Sequence, residues 1–155
     1  MIFCIEFHCT PQIVFDGIKS VLYRFFEKSL ETNSILFMGH HLDDLIETFF
    51  LRALRGSGIE GLSSIPKERA VGKGKLIRPF LNIPKSEILA KAKKDKLKFI
   101  KDPSNKDISF DRNYLRNKVL PEIENRWPSY RKNLNQLIEN LKESSDLLIT
   151  HAEKD

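Results

Sequence analysis

An uninterrupted apolar run, Ile35–Met38, leads into Gly39-His40-His41 and then into a segment whose apolar positions recur at helical spacing: Leu42, Leu45, Ile46, Phe49, Phe50 and Ala53. A short apolar run bounded by polar residues reads as a strand buried on both faces, and the 3.6-residue period after it reads as an amphipathic helix. This order constrains the fold more than any other feature of the chain. A buried strand that hands over to a helix through a glycine-containing loop is the repeating unit of a parallel α/β sheet. Ligands of such sheets bind at the carboxyl ends of the strands.

The other segments fit the same layering. Met1–Phe7 reads as a short strand or strand remnant, Phe15–Leu30 as an amphipathic helix, and Glu31–Ser34 as a polar break. Ile59–Ile65 is expected to form a short helical turn, followed by a polar loop ending in Gly72-Lys73-Gly74, and Lys75–Leu81 reads as another strand. Pro84 suits the first residue of a helix running to about Lys96, because the N–H it lacks has no acceptor there. Phe99–Ile100 is expected to be extended before a turn at Asp102-Pro103-Ser104-Asn105. Two helices follow, about Arg112–Arg126 and Ser129–Lys154, and Pro121 is expected to kink or split the first. The fold class is thus α/β with a parallel sheet, from which the last helices extend.

Charge is unevenly distributed. The net charge of +5 divides into −3 over residues 1–66, +10 over 67–118 and −2 over 119–155. A concentrated positive segment fits contact with a phosphate backbone, although the lysine run Lys91–Lys98 alone reads as a solvated helix face. No apolar run approaches the ~20 residues of a membrane-spanning helix. Glu6 interrupts the apolar start, with no basic leader or cleavage site, so a cytoplasmic protein without a membrane partner is expected. Cys4 and Cys9 have no further cysteines to join them, which fits reduced thiols rather than a zinc site.

Three clusters carry site chemistry. In Gly39-His40-His41-Leu42-Asp43-Asp44-Leu45-Ile46-Glu47-Thr48, two histidines and three carboxylates meet at the junction of strand and helix. Crowded carboxylates suit Mg²⁺ or an ammonium group; helix capping would account for Asp43 or Asp44 alone. Arg55-Gly56-Ser57-Gly58 closes the same helix and reads either as an anion-binding turn or as a plain C-cap. Asp102-Pro103-Ser104-Asn105, with Phe110, Arg112, Asn113 and Arg116, reads as a turn and basic helix start, or as a pair of arginines one turn apart that grip phosphates.

Together these segments, with Leu51-Arg52, Gly61-Leu62, Ile77-Arg78-Pro79-Phe80-Leu81 and Leu120-Pro121, resemble the tRNA(Ile)-lysidine synthase family in order and spacing, from about Tyr23 to about Leu148. The resemblance implies an N-type ATP pyrophosphatase with a Rossmann-like parallel sheet, a partial PP-loop core over residues 1–118 and a helical extension over 119–155. It implies a ligase that uses ATP to adenylate O2 of the wobble cytidine of tRNA(Ile) with a CAU anticodon. The amine of free L-lysine then attacks C2 and AMP leaves. Asp43, Asp44 and Glu47 would be the catalytic acids, with Asp44 as the Mg²⁺ ligand. Gly39, His40, His41 and Arg55, Gly56, Ser57, Gly58 would face the nucleotide, and Arg78, Arg112, Asn113 and Arg116 the tRNA.

The sequence departs from the family pattern in places. No Ser-Gly-Gly of the S-G-G-x-D-S phosphate loop and no His-x-Asn-His occurs in the 155 residues, and Leu22 stands where an arginine is expected. The resemblance therefore implies a sheet lacking its first strand and phosphate loop, completed by a missing N-terminal segment or a homodimer partner. The chain alone is expected to be inactive, and a non-catalytic tRNA-binding remnant is the alternative reading.

Overall fold

The computed structural model describes residues 2–5, 24–63, 65–99 and 103–152. Its sheet has four strands in the order β1-β2-β4-β3: β1 is Ile2–Ile5, β2 Ile35–Met38, β3 Glu68–Val71 and β4 Gly74–Ile77. Strand β2 lies inside the sheet, parallel to β1 on one side and to β4 on the other. That double pairing is why its sequence is apolar throughout. Leu36 and Met38 point to one face and pack with Val71, Leu76, Phe26 and Leu30. Phe26 belongs to α1, the helical stretch over residues 24–29.

Strand β3 departs from the sequence reading, which places a polar loop there. It pairs antiparallel with β4, Val71 opposite Gly74, so Gly72-Lys73 is a two-residue hairpin turn. Three of its four residues are exposed at the sheet edge, so no alternating apolar pattern marks it. Gly72 has φ of 56°, and a Cβ there would lie 2.3 Å from the Glu27 carbonyl oxygen, so the turn requires glycine both for conformation and for its close approach to α1. Strand β4 stops at Ile77, short of the expected Leu81, because Pro79 cannot donate to a ladder.

The helices are α2 (Leu42–Leu54), α3 (Ile59–Leu62), α4 (Lys85–Lys94), α5 (Asp111–Tyr114), α6 (Leu120–Arg126) and α7 (Tyr130–Ala152). Pro84 is the N-cap of α4, one residue before the helix proper. A π-helical turn, Leu115–Val119, joins α5 to α6, with the Leu120 N–H donating to the Leu115 carbonyl. Pro121 has no N–H to offer the carbonyl four residues back, and the chain accommodates it by widening the preceding turn rather than breaking the helix. Expected elements within residues 6–23, 100–102 and 153–155 lie outside the described residues. Among the described residues no helix is long and apolar enough to cross a membrane.

One apolar cluster gathers Leu42, Leu45, Ile46 and Phe49 of α2 with Leu81, Leu115, Leu120, Tyr130 and Ile138. Helix α7 therefore shares the core of α2, although the sequence reading sets residues 119–155 apart as an extension. Ile138 is 2% exposed and Leu45 is 1% exposed. Truncating either to Ala should cost about 2–5 kcal/mol. Both variants should shift a single cooperative thermal or urea transition. A separate early transition in Ile138→Ala, with the main one unmoved, would show that α7 is an independent unit.

Candidate functional site: an acid–arginine cluster at the end of β2

Strand β2 delivers Gly39 and His40 to the N-terminus of α2, where His41 is the N-cap in an extended conformation. The His41 Nδ1 accepts the Asp44 N–H at 3.3 Å, and Asp44 Oδ2 accepts the His41 N–H at 3.1 Å. This is a capping box with His and Asp in place of the usual Ser and Glu. Burial holds the His41 imidazole below its ordinary value against the opposing pull of Asp44, so the ring is neutral at neutral pH and Nδ1 can accept. Asp44 thus does satisfy the helix end, as the capping reading expects.

Asp43 does something the sequence does not reveal. Its Oδ2 accepts the Lys85 N–H at 2.8 Å, and its Oδ1 accepts from Arg131 Nε at 3.0 Å. Pro84 has no side-chain acceptor for the first turn of α4, so an acid in another helix supplies it. Arg131, at the start of α7, also pairs with Glu124 and lies over the Tyr130 ring, 4.8 Å from its centroid. Asp43 therefore ties α4 and α7 to the N-terminus of α2. Burial would raise its carboxyl, but the Lys85 N–H and the Arg131 guanidinium outweigh that and hold it below the usual carboxylate value.

Glu47, one turn further on, is 0% exposed. Arg116 grips both its oxygens, Nε to Oε1 at 2.6 Å and Nη2 to Oε2 at 2.8 Å, and Arg112 Nε lies 3.4 Å from Oε2. Burial pushes the Glu47 carboxyl up, and Arg116 is the first of the groups opposing it. Both oxygens accept hydrogen bonds, which is the arrangement of an ionised carboxylate. Arg112 also donates to Thr48 Oγ1 at 2.7 Å, and Arg116 to Asn105 Oδ1 at 3.1 Å. The 39–48 and 112–116 segments thus meet at one buried carboxylate, and Asn105 joins them through Arg116.

Several expected placements need correction. Arg78 is 4% exposed and turned inward, donating to the Pro66 carbonyl and to His40 Nδ1, so in this structure it offers no guanidinium to an RNA surface. Asn113 is also buried, its amide closing the 103–110 turn through the Ser104 and Asp107 carbonyls. Arg112 and Arg116 face Glu47 rather than solvent. The Arg55–Gly58 turn is not beside the acids, because it closes the far end of α2. From Leu42 to Leu54 that helix is about 18 Å long. Gly56, at φ 73°, and the N–H groups of Gly56 and Ser57 complete an ordinary helix C-cap.

Of the three acids, only Asp44 has an oxygen left open to a cation such as Mg²⁺ among the described residues. Every oxygen of Asp43 and Glu47 accepts from an N–H group, Asp44 Oδ2 is held by His41, and Asp44 Oδ1 has Arg116 3.6 Å away. Among the described residues no group of three His, Cys, Asp or Glu side chains could hold a metal. A cavity of about 270 Å³ opens between α2, α4, α6 and α7, lined by Asp43, Glu47, Lys85, Arg116, Tyr130 and Arg131 among others. The Tyr130 hydroxyl is buried without a hydrogen-bond partner among the described residues, and burial pushes it up to about 12. Tyr130, Arg131 and Lys85 are the site residues that sequence reasoning misses. Arg131 stands 88 residues from Asp43, and no local pattern links them.

A family model of the PP-loop domain matches residues 16–123. A tRNA(Ile)-lysidine synthase of Pseudomonas fluorescens (strain Pf0-1) is 40% identical over 137 residues, covering 88% of this chain and 31% of that protein. The tRNA(Ile)-lysidine synthase of Nitrosomonas europaea is 42% identical over 149 residues, covering 94% of this chain and 32% of that protein. The chain spans about a third of the length of these curated relatives. In fold it is similar to the U34-tRNA thiolase NcsA from Methanococcus maripaludis, solved with its 4Fe-4S cluster. The TM-score is 0.61 at 21% identity, over 87% of this chain and 45% of that one.

The Asp43 tie has a pH signature. Its folded-state value lies below the ordinary aspartate value of 3.8, so its contribution is fully present above pH 3.8 and is lost as pH falls through the folded value. Asp43→Asn should lose about 1–3 kcal/mol at pH 7. The gap from the unmodified chain should narrow as denaturation curves are taken below pH 3.8. A gap of constant size across the acid range would show that the charge of Asp43 is not what holds α4 and α7.

Proposed function

We propose, from the premise that this chain belongs to the PP-loop domain family, that it forms part of the catalytic core of a tRNA(Ile)-lysidine synthase. The observation that carries this reading is the convergence of residues 39–48 and 112–116 on Glu47, with Asn105 joined through Arg116. These are the segments on which the resemblance to the synthases rests, and they meet at the carboxyl end of β2, where α/β sheets bind ligands.

In the reaction, O2 of the wobble cytidine bonds to the α-phosphorus of ATP and pyrophosphate leaves. The lysine amine then bonds to C2, the C2–O2 bond breaks, and AMP departs. The chain's own residues divide that work. Asp44 is the acid best placed to receive the lysine ammonium, because Arg116 approaches its Oδ1 only to 3.6 Å. Glu47 is a positioning residue: fully buried, it aims Arg112 and Arg116, whose cationic edges oppose the charge that builds on departing AMP. Gly39, His40 and His41 form the strand-end edge against the nucleotide. Asp44 would also be the residue to hold Mg²⁺, which would neutralise the polyphosphate.

The test is a chimera in which residues 24–152 of this chain replace the matching part of the Pseudomonas fluorescens synthase. With ATP, labelled lysine and a CAU-anticodon tRNA it should incorporate lysine and release AMP. The 155 residues alone, which contain no Ser-Gly-Gly, should do neither. In the chimera, Asp44→Asn should lower kcat/KM about 100-fold or more with tRNA affinity little changed, whereas Glu47→Gln should lower kcat/KM together with thermal stability. A folded chimera that binds the tRNA yet incorporates no lysine would favour the non-catalytic RNA-binding remnant.

A further inference from the structure

The arginines expected on an RNA surface are engaged inside the protein: Arg78 with Pro66 and His40, Arg112 and Arg116 with Glu47. The excess positive charge of residues 67–118 therefore reaches solvent largely through lysines. They are densest at the C-terminal end of α4, a helix with no buried residue. Lys91 pairs with Asp95. Lys93, Lys94, Lys96 and Lys98 are exposed and form no ion pair among the described residues. Interleaved with them are two exposed apolar side chains, Leu97 at 60% and Phe99 at 45%.

This end of the helix is held in place. The Lys96 N–H donates to the Lys93 carbonyl and the Leu97 N–H to the Ala92 carbonyl, the paired bonds of a Schellman motif. Lys96 takes the left-handed position, φ 55°, that glycine usually fills. At its other end α4 is anchored to Asp43 through the Lys85 N–H. Ten residues of helix set the lysine end about 15 Å from the acid–arginine cluster.

We propose that the C-terminal end of α4 is an RNA-docking surface, on which Lys93, Lys94, Lys96 and Lys98 meet backbone phosphates and the Phe99 ring stacks on an unpaired base. This rests on the reading of the substrate as RNA. Cations without matching acids, beside one exposed aromatic ring, are the combination that binds single-stranded nucleic acid. A membrane-surface helix would instead present a continuous apolar stripe to solvent. The apolar stripe of α4, Ile88, Leu89 and Ala92, is half-buried, and the exposed residues of its last turn are Lys91, Lys93 and Lys94.

Binding of the 155-residue chain to a fluorescein-labelled RNA stem–loop with a CAU loop, followed by anisotropy across roughly 50–200 mM KCl, tests the proposal. The triple variant Lys93→Gln/Lys94→Gln/Lys98→Gln should lose about 10-fold or more in affinity at mid-range salt, and its log K against log salt slope should be shallower by about 2, near 0.7 per phosphate contact. Phe99→Ala should lose about 10-fold with the slope unchanged. Lys132→Gln, an exposed lysine on α7, should match the unmodified chain. Unaltered affinity and slope in the triple variant would overturn the surface and leave the catalytic reading standing. So would variants that lose binding to phosphatidylserine vesicles while keeping RNA. Loss of lysine incorporation by the chimera, with the lysine-dependent salt slope intact, would instead remove the catalytic reading and leave the surface. No RNA binding by the unmodified chain at the lowest salt would overturn the docking surface and leave the catalytic reading to the chimera.

Discussion

The buried charge of Glu47 organises the helical half of this protein. A carboxylate removed from water costs several kcal/mol unless cations and donors replace its hydration. Arg116 and Arg112 replace it here, and both come from a segment more than sixty residues further along the chain. Once they are committed to Glu47, the rest of their donors fix the neighbourhood: Thr48 on the same helix, Asn105 in the preceding turn. The π-helical turn over Leu115–Val119 carries Arg116, so the local widening forced near Pro121 and the ion pair belong to one arrangement. Breaking the pair from either side would leave a bare charge in the core. The site and the fold are therefore not separable at this position.

Asp43 plays the corresponding part on the opposite flank of α2. It caps α4 from outside that helix and holds Arg131 at the head of α7. Adjacent acids in one short motif thus have different employment: Asp43 fastens helices, Asp44 closes its own helix end with His41, and Glu47 seats two arginines. Of these three, Asp44 alone keeps an oxygen with no close donor among the described residues, Arg116 lying 3.6 Å away. Chemistry at the strand end is accordingly concentrated on one carboxylate, with the others acting through the geometry they impose.

Elements with strong periodicity are legible in the sequence. Ile35–Met38 and Leu42–Leu54 fall at their expected bounds because β2 is buried on both sides and α2 buries one continuous face. Strand β3 was not legible, since an edge strand with polar, exposed side chains has no burial to imprint on its sequence. The charge map correctly located an excess of cations in residues 67–118 but could not say which of them face water. Arg78 and Arg116 count as positive in a sequence whether they meet solvent or a buried partner.

What the amino-acid order settled by itself was the strand-to-helix handover at Gly39–Leu42, the acids and histidines placed there, and the family pattern running through the later motifs. These depend on neighbours in the chain, where periodicity and spacing are sufficient. Only the tertiary structure decided the partners: Glu47 with Arg112 and Arg116, and Asp43 with Lys85 and Arg131. Ion pairs and caps form between groups that packing brings together across tens of residues, and a charge in a sequence carries no record of which opposite charge it will meet.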